Sequence, residues 1–150
     1  MLDERVKILH RMQGALRNEF LAASVYERHA HYAREQGRTD LAERLLLMAD
    51  THREHMESWS IRIRELGGRP EVGSLPKSVV APGEGGDLMT ALERDLKLED
   101  TEIEDYQVLA SQSDEETTHL CERCMEDDRR NLRWLREQLD RGQYEDLRED

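Results

Sequence analysis

The chain has 150 residues, enough for one domain with a respectable core. Hydrophobic residues make up 37% and charged residues another 37%, which leaves apolar side chains for one stripe per helix and little else. A formal net charge of −12 argues against nucleic acid and anionic membranes as partners and suits a chain that attracts cations.

No apolar run approaches the ~20 residues of a membrane span, and the first residues show no signal-peptide pattern, so the cytoplasm is the expected compartment. Leu, Ala, Glu and Arg are abundant while β-branched residues are sparse, which favours helix. The expected fold class is all-α, a bundle of four long helices.

A first helix is predicted over residues 3–36, with Gly37 as its stop. Its apolar stripe is Leu9, Met12, Leu16, Ala23, Tyr26 and Ala30, in steps of three and four. A second helix is predicted over residues 40–66, capped by Thr39 or Asp40, with Glu43 in its first turn. Its stripe is Leu41, Leu45, Met48, Trp59, Ile63 and Leu66, and Gly67-Gly68 ends it.

Residues 67–86 hold all three prolines and most of the glycines. A connection this long fits a chain that must travel the length of the bundle before the next helix begins. A third helix is predicted over residues 87–111 with Asp87 as its cap, and its stripe is Leu88, Leu92, Leu96, Ile103, Tyr106 and Ala110. A fourth is predicted over residues 114–141 with Gly142 as its stop, and its stripe is Thr117, Cys121, Cys124, Leu132, Leu135 and Leu139. Residues 1–142 are thus read as the bundle and residues 143–150 as an acidic, frayed tail.

Each stripe is broken near its middle. Glu19 interrupts the first, His52 and His55 the second, Glu99 the third, and Asp128 with Asn131 the fourth. In a bundle of similar helix lengths the midpoints share one level, so these side chains converge. A buried carboxylate protonates, pairs or binds a cation. Three carboxylates, two imidazoles and one amide form either a metal site or a closed hydrogen-bond network.

Cys121 and Cys124 form Cys-x-x-Cys on a helix, with Cys124 one turn before Asp128. They read as two small buried side chains, or alternatively as a thiolate ligand or redox pair near the cluster. Tyr26 and Tyr106 sit on the seams as core residues whose hydroxyls reach the cluster, with a redox role as the alternative. His10, His29, His31 and His119 fall mainly off the seams and are expected at the surface. Glu102, Glu104 and Asp105, then Asp114-Glu115-Glu116, read as a solvated face and a helix N-terminus, or as a cation-attracting surface. There is no phosphate loop and no nucleophile triad pattern.

Several stretches together resemble bacterioferritin, within the ferritin-like superfamily. They are Leu16-Arg17-Asn18-Glu19 through Tyr26, Leu41-Ala42-Glu43-Arg44 to His55, Leu66-Gly67-Gly68-Arg69-Pro70, Asp95-Leu96-Lys97-Leu98-Glu99, and Asp127-Asp128-Arg129-Arg130-Asn131 with Trp134-Leu135. The resemblance covers roughly residues 9–140. It implies an intra-bundle iron site in which Glu19, His55 and Glu99 match that family's ligands and His52 and Asp128 stand where its bridging glutamates would be; the stripes themselves add Asn131, Tyr26, Tyr106 and Cys124 around these five ligand candidates.

The departures are specific. That family has Glu-x-x-His on its second and fourth helices, where this chain has His52-Arg53-Glu54-His55 and Asp128-Arg129-Arg130-Asn131. The resemblance sets four carboxylates against two ions, and only three are counted here. A single ion held by His52, His55 and one or two carboxylates is the easier chemistry, and it suits iron(II) or zinc. The family's haem-bearing Met corresponds to Arg53, so no haem is expected. The family's short fifth helix has no apolar counterpart after Gly142, so a 24-subunit cage has no support in the sequence.

Two functions follow as expectations. One is a metal-binding protein that binds, oxidises or stores iron. The other is a non-enzymatic helical protein whose polar centre is a salt-bridge network and which acts through assembly. A homodimer or larger homo-oligomer is expected, with Trp59 and Trp134 contributing apolar side surface.

Overall fold

A computed structural model describes residues 3–74 and 87–148, with side chains described as far as Gly142. Four helices follow in order: α1 (Glu4–Glu35), α2 (Thr39–Glu65), α3 (Leu88–Ser111) and α4 (Glu115–Arg148). There is no strand among the described residues. Nor is any helix among them long and apolar enough to cross a membrane.

Local chemistry sets most of the ends. α1 closes at Gly37, whose φ of 75° lets Arg38 N–H return to the Ala33 carbonyl at 2.8 Å. Gly67 does the same for α2 at φ 84°, with Gly68 N–H on the Ile63 carbonyl at 2.9 Å. Asp87 caps α3 by accepting from Thr90 N–H at 2.9 Å, and Asp114 caps α4 through Thr117 N–H at 2.9 Å.

Two expected ends differ. α2 starts one residue early, with Arg38 as its cap residue and no side-chain capping bond, because the short Gln36-Gly37 turn delivers the chain straight into helix. Gly142 does not stop α4, which runs on to Arg148. Gly142 is buried, and a Cβ there would collide with the sulfur of Met89, so the missing side chain serves close helix approach.

Cross-helix contacts fix the directions. Glu19 meets His52 and His55 while Arg5 meets Leu66, so α1 and α2 are antiparallel. Tyr26 meets Glu99 and Asn18 meets Asp105, so α1 and α3 are antiparallel too. Helices α2 and α3 therefore run the same way, and only a crossover along the bundle can join them. Its first part lies against α1, where Gln13 Nε2 donates to the Arg69 carbonyl at 2.5 Å and Gln13 Oε1 accepts from Glu71 N–H at 3.0 Å. Residues 75–86 of the expected crossover lie outside the described residues.

The apolar core comes in two parts. One gathers Met12, Leu16, Trp59, Ile63, Ile103 and Cys121, and the other Ala30, Leu41, Leu45, Met48, Leu92 and Leu135. Between them lies a layer of buried polar side chains.

Candidate metal centre

Every helix contributes to that layer. Glu19 (α1), His52 (α2), Glu99 (α3) and Asp128 (α4) are each 0% exposed, and His55, Glu102 and Asn131 are buried. Glu19, His52 and His55 offer ligand atoms within 4.8 Å of one another, and so do His52, Glu99, Glu102 and Asp128. The two sets share His52.

The contacts are specific. His52 Nδ1 lies 2.6 Å from Glu19 Oε2, and its Nε2 lies 3.0 Å from Glu99 Oε1. His55 Nδ1 lies 3.2 Å from the same Glu19 oxygen, and its Nε2 lies 2.8 Å from Asp127 Oδ2. Tyr26 donates to Glu99 Oε1 at 2.5 Å, Asn131 Nδ2 donates to that oxygen at 3.3 Å, and Tyr106 donates to Glu19 Oε1. Aromatic rings fix the orientations: Tyr26 stacks on His52 at 5.4 Å, and Trp59 stacks on Tyr106 at 5.8 Å while donating to its hydroxyl at 2.9 Å.

Other carboxylate oxygens are left over. Glu99 Oε2 and both oxygens of Glu102 and Asp128 are buried with no hydrogen-bond partner among the described residues. Buried polar atoms are almost always satisfied in native proteins, so such a group needs an explanation.

Protons balance the charge when no cation is present. Each imidazole has carboxylates on both nitrogens, and acceptors on both sides require imidazolium. Burial alone would lower the His52 pKa, but Glu102, Glu19 and Glu99 push it well above 6.5. Burial likewise opposes the charge of His55, yet its bonds to Cys124 and Glu19 push it up to about 12. Burial raises Glu19 too, but the charges and hydrogen bonds of the two imidazoles hold its carboxyl at about 2. Glu102 and Asp128 go up instead, through burial and neighbouring carboxylates.

A pH dependence follows. Raised folded-state values for His52 and His55 supply stability that is full below about 6.5 and lost as pH rises toward the folded values. Raised values for Glu102 and Asp128 act in the same direction, because the folded state again binds more protons. Chelator-treated protein is therefore expected to melt at a lower temperature at pH 9 than at pH 6, as thermal unfolding will show.

Residues 9–144 match the family model of the ferritin-like domain. The chain belongs to that family. Among similar solved structures is the bacterioferritin of Rhodobacter capsulatus, described with a metal-free dinuclear site and a haem iron. It is 23% identical, with a TM-score of 0.80, and the match covers 90% of this chain and 84% of that one. A second is the bacterioferritin of Desulfovibrio desulfuricans, described with a diiron site in different catalytic states. It is 25% identical, with a TM-score of 0.83, covering 92% of this chain and 81% of that one. Among curated proteins, none matches.

Within this ferritin-like bundle several expectations change. Glu102 is not on a solvated face; it is 2% exposed, and its Oε2 lies 3.8 Å from His52 Nδ1. The layer therefore holds four buried carboxylates, Glu19, Glu99, Glu102 and Asp128, where three were counted. His29 is not a surface histidine; its Nδ1 is 2.8 Å from the carboxylate of Asp95, itself 0% exposed. Trp59 offers no side surface, being fully buried, and Trp134 is half-buried with the Arg44 guanidinium over its ring.

Asp95, Glu102 and Asp127 were missed as polar neighbours of the site. The first two stand four before and three after Glu99, so helical spacing alone puts them on its face.

Proposed function

We propose that the protein binds divalent cations in this layer, iron(II) foremost, and that it binds, oxidises or stores iron as a ferritin-like protein. The observation that carries the reading is the set of unpartnered carboxylate oxygens on Glu99, Glu102 and Asp128. A closed salt-bridge network would satisfy them, whereas a cation takes up such lone pairs. The alternative network draws its support from Glu19, which is fully engaged by His52, His55 and Tyr106, but it leaves the α3 and α4 side unexplained.

The donors fit the proposed cargo. Nitrogen and carboxylate ligands suit iron(II) and zinc, and four carboxylates match the charge of two divalent ions. Glu19, His52 and His55 would serve one position, and Glu99, Glu102 and Asp128 the other. Tyr26, Tyr106 and Asn131 orient the glutamates through their hydrogen bonds. Burial pushes the Cys124 thiol up, so at neutral pH it is a small buried group beside His55 rather than a thiolate ligand. Bound iron would supply redox chemistry at this layer.

We read the chain as haem-free. Arg53 is ion-paired to Asp50 and Glu27 on the α1–α2 face, and a guanidinium is no haem ligand. A homodimer remains our expectation, supported by exposed Leu47 and Ile61 on α2.

Anaerobic titration with iron(II) and zinc, beside elemental analysis of the purified protein, tests the reading. Saturating cation at about 100 times its Kd should stabilise the fold by about 2.7 kcal/mol. The imidazoles must give up protons to bind, so apparent affinity should rise with pH between 6 and 8. No bound metal and no thermal shift with either ion would overturn it.

A further inference from the structure

We infer that the cleft between α1 and α3 is the port through which divalent cations reach the buried layer, and that Glu102 is the relay ligand at its floor. This rests on the cation-binding reading above.

The cleft has a volume of about 280 Å³ and is lined by Arg11, Gly14, Asn18, Glu102, Asp105 and Val108, among others. A cation with six waters, at about 30 Å³ each, needs roughly 180 Å³, so it fits before shedding its shell. At the mouth stands the exposed carboxylate of Asp105, steadied by Asn18 Nδ2 at 3.3 Å. At the floor stands Glu102, 2% exposed, with neither oxygen partnered and one of them 3.8 Å from His52 Nδ1. One carboxylate thus borders both the cleft and the ligand cluster. Arg11 is the single basic residue lining the cleft, against two acidic ones.

On the α2–α4 side Asp127 is engaged by His55 at 2.8 Å and by Arg130 at 2.5 Å.

Gly14 keeps the cleft wide. It sits mid-helix in α1, where glycine is a poor helix former, and no atom lies within 4 Å of where its Cβ would be. A larger side chain there grows into the opening without touching any ligand, and it favours the helix. The same absence of clash would let Gly14 be replaced freely if the cleft had no role.

The test is stopped-flow binding of cobalt(II), followed by its visible absorbance, to the full-length protein and to Gly14→Leu. The port predicts an on-rate slower by about tenfold or more, with unchanged final amplitude and an unchanged or higher melting temperature. Asp105→Lys, an exposed charge reversal that survives any packing fault at Gly14, should slow binding at low salt and approach the parent rate at high salt. Parent rates in both variants at full amplitude overturn the port and leave the cation centre standing. No cobalt uptake by the parent overturns the centre and the port together.

Discussion

Glu19→Ala is expected to abolish iron(II) oxidation above the buffer blank and to cost the cation-free fold about 3 kcal/mol, the lower end of the range for breaking a buried ion pair. Glu19 alone accepts from His52 Nδ1, His55 Nδ1 and the Tyr106 hydroxyl, all inside the bundle. Alanine leaves two imidazoles short of an acceptor and a hydroxyl with nothing to donate to. It also leaves a void where four heavy atoms stood.

The pH profile separates this loss from a simple packing defect. A carboxyl held at about 2 supplies stability that is present above about 4.5 and lost as pH falls through 2. The gap between parent and variant in urea unfolding should therefore narrow from pH 5 down to pH 3, whereas a cavity cost would not change. Wild-type oxidation rates in the variant would remove Glu19 from the site.

How much of this could be read from the chain depends on whether a feature is local. Glu19, His52, Glu99 and Asp128 stand out because each breaks an apolar stripe, and a broken stripe is visible in one helix at a time. The antiparallel and parallel pairings follow from the long proline- and glycine-bearing connection, which is local too.

Glu102 was hidden for a physical reason. It sits beside Ile103, which took the seam position, and just before Glu104 and Asp105, which are exposed. Adjacent helix positions differ by about 100°, so a narrow seam buries one of the pair and a wide interior buries both. α3 buries Asp95, Glu99, Glu102 and Ile103 alike, so its inward face is broader than the alternating stripe assumed. His29 and Asp95 each look like surface charges alone, and only the docking of α1 on α3 pairs them. Gly142 reads as a helix stop by type, yet the side chain it lacks is one that Met89 excludes from another helix.

Glu102→Met carries the second large expected effect, with opposite signs for stability and binding. Methionine fills about the same volume and favours helix, but it has no lone pairs to leave unmatched. Leaving a buried polar group unsatisfied costs about 1–3 kcal/mol, and both Glu102 oxygens are in that state. Removing them should stabilise cation-free protein by a similar amount, or several degrees of melting temperature at this size. Because the folded carboxyl titrates well above 4.5, ionisation favours the unfolded chain increasingly as pH rises. The gain should accordingly be larger at pH 8 than at pH 4.

The same change removes a ligand and the relay at the cleft floor, so cobalt(II) should bind at least tenfold more weakly, by about 1.4 kcal/mol. Stability gained where binding is lost is the mark of a group kept for function. A variant less stable than the parent at both pH values would mean that Glu102 is held by favourable interactions within the bundle, and the case for a cation on that side would fall with it.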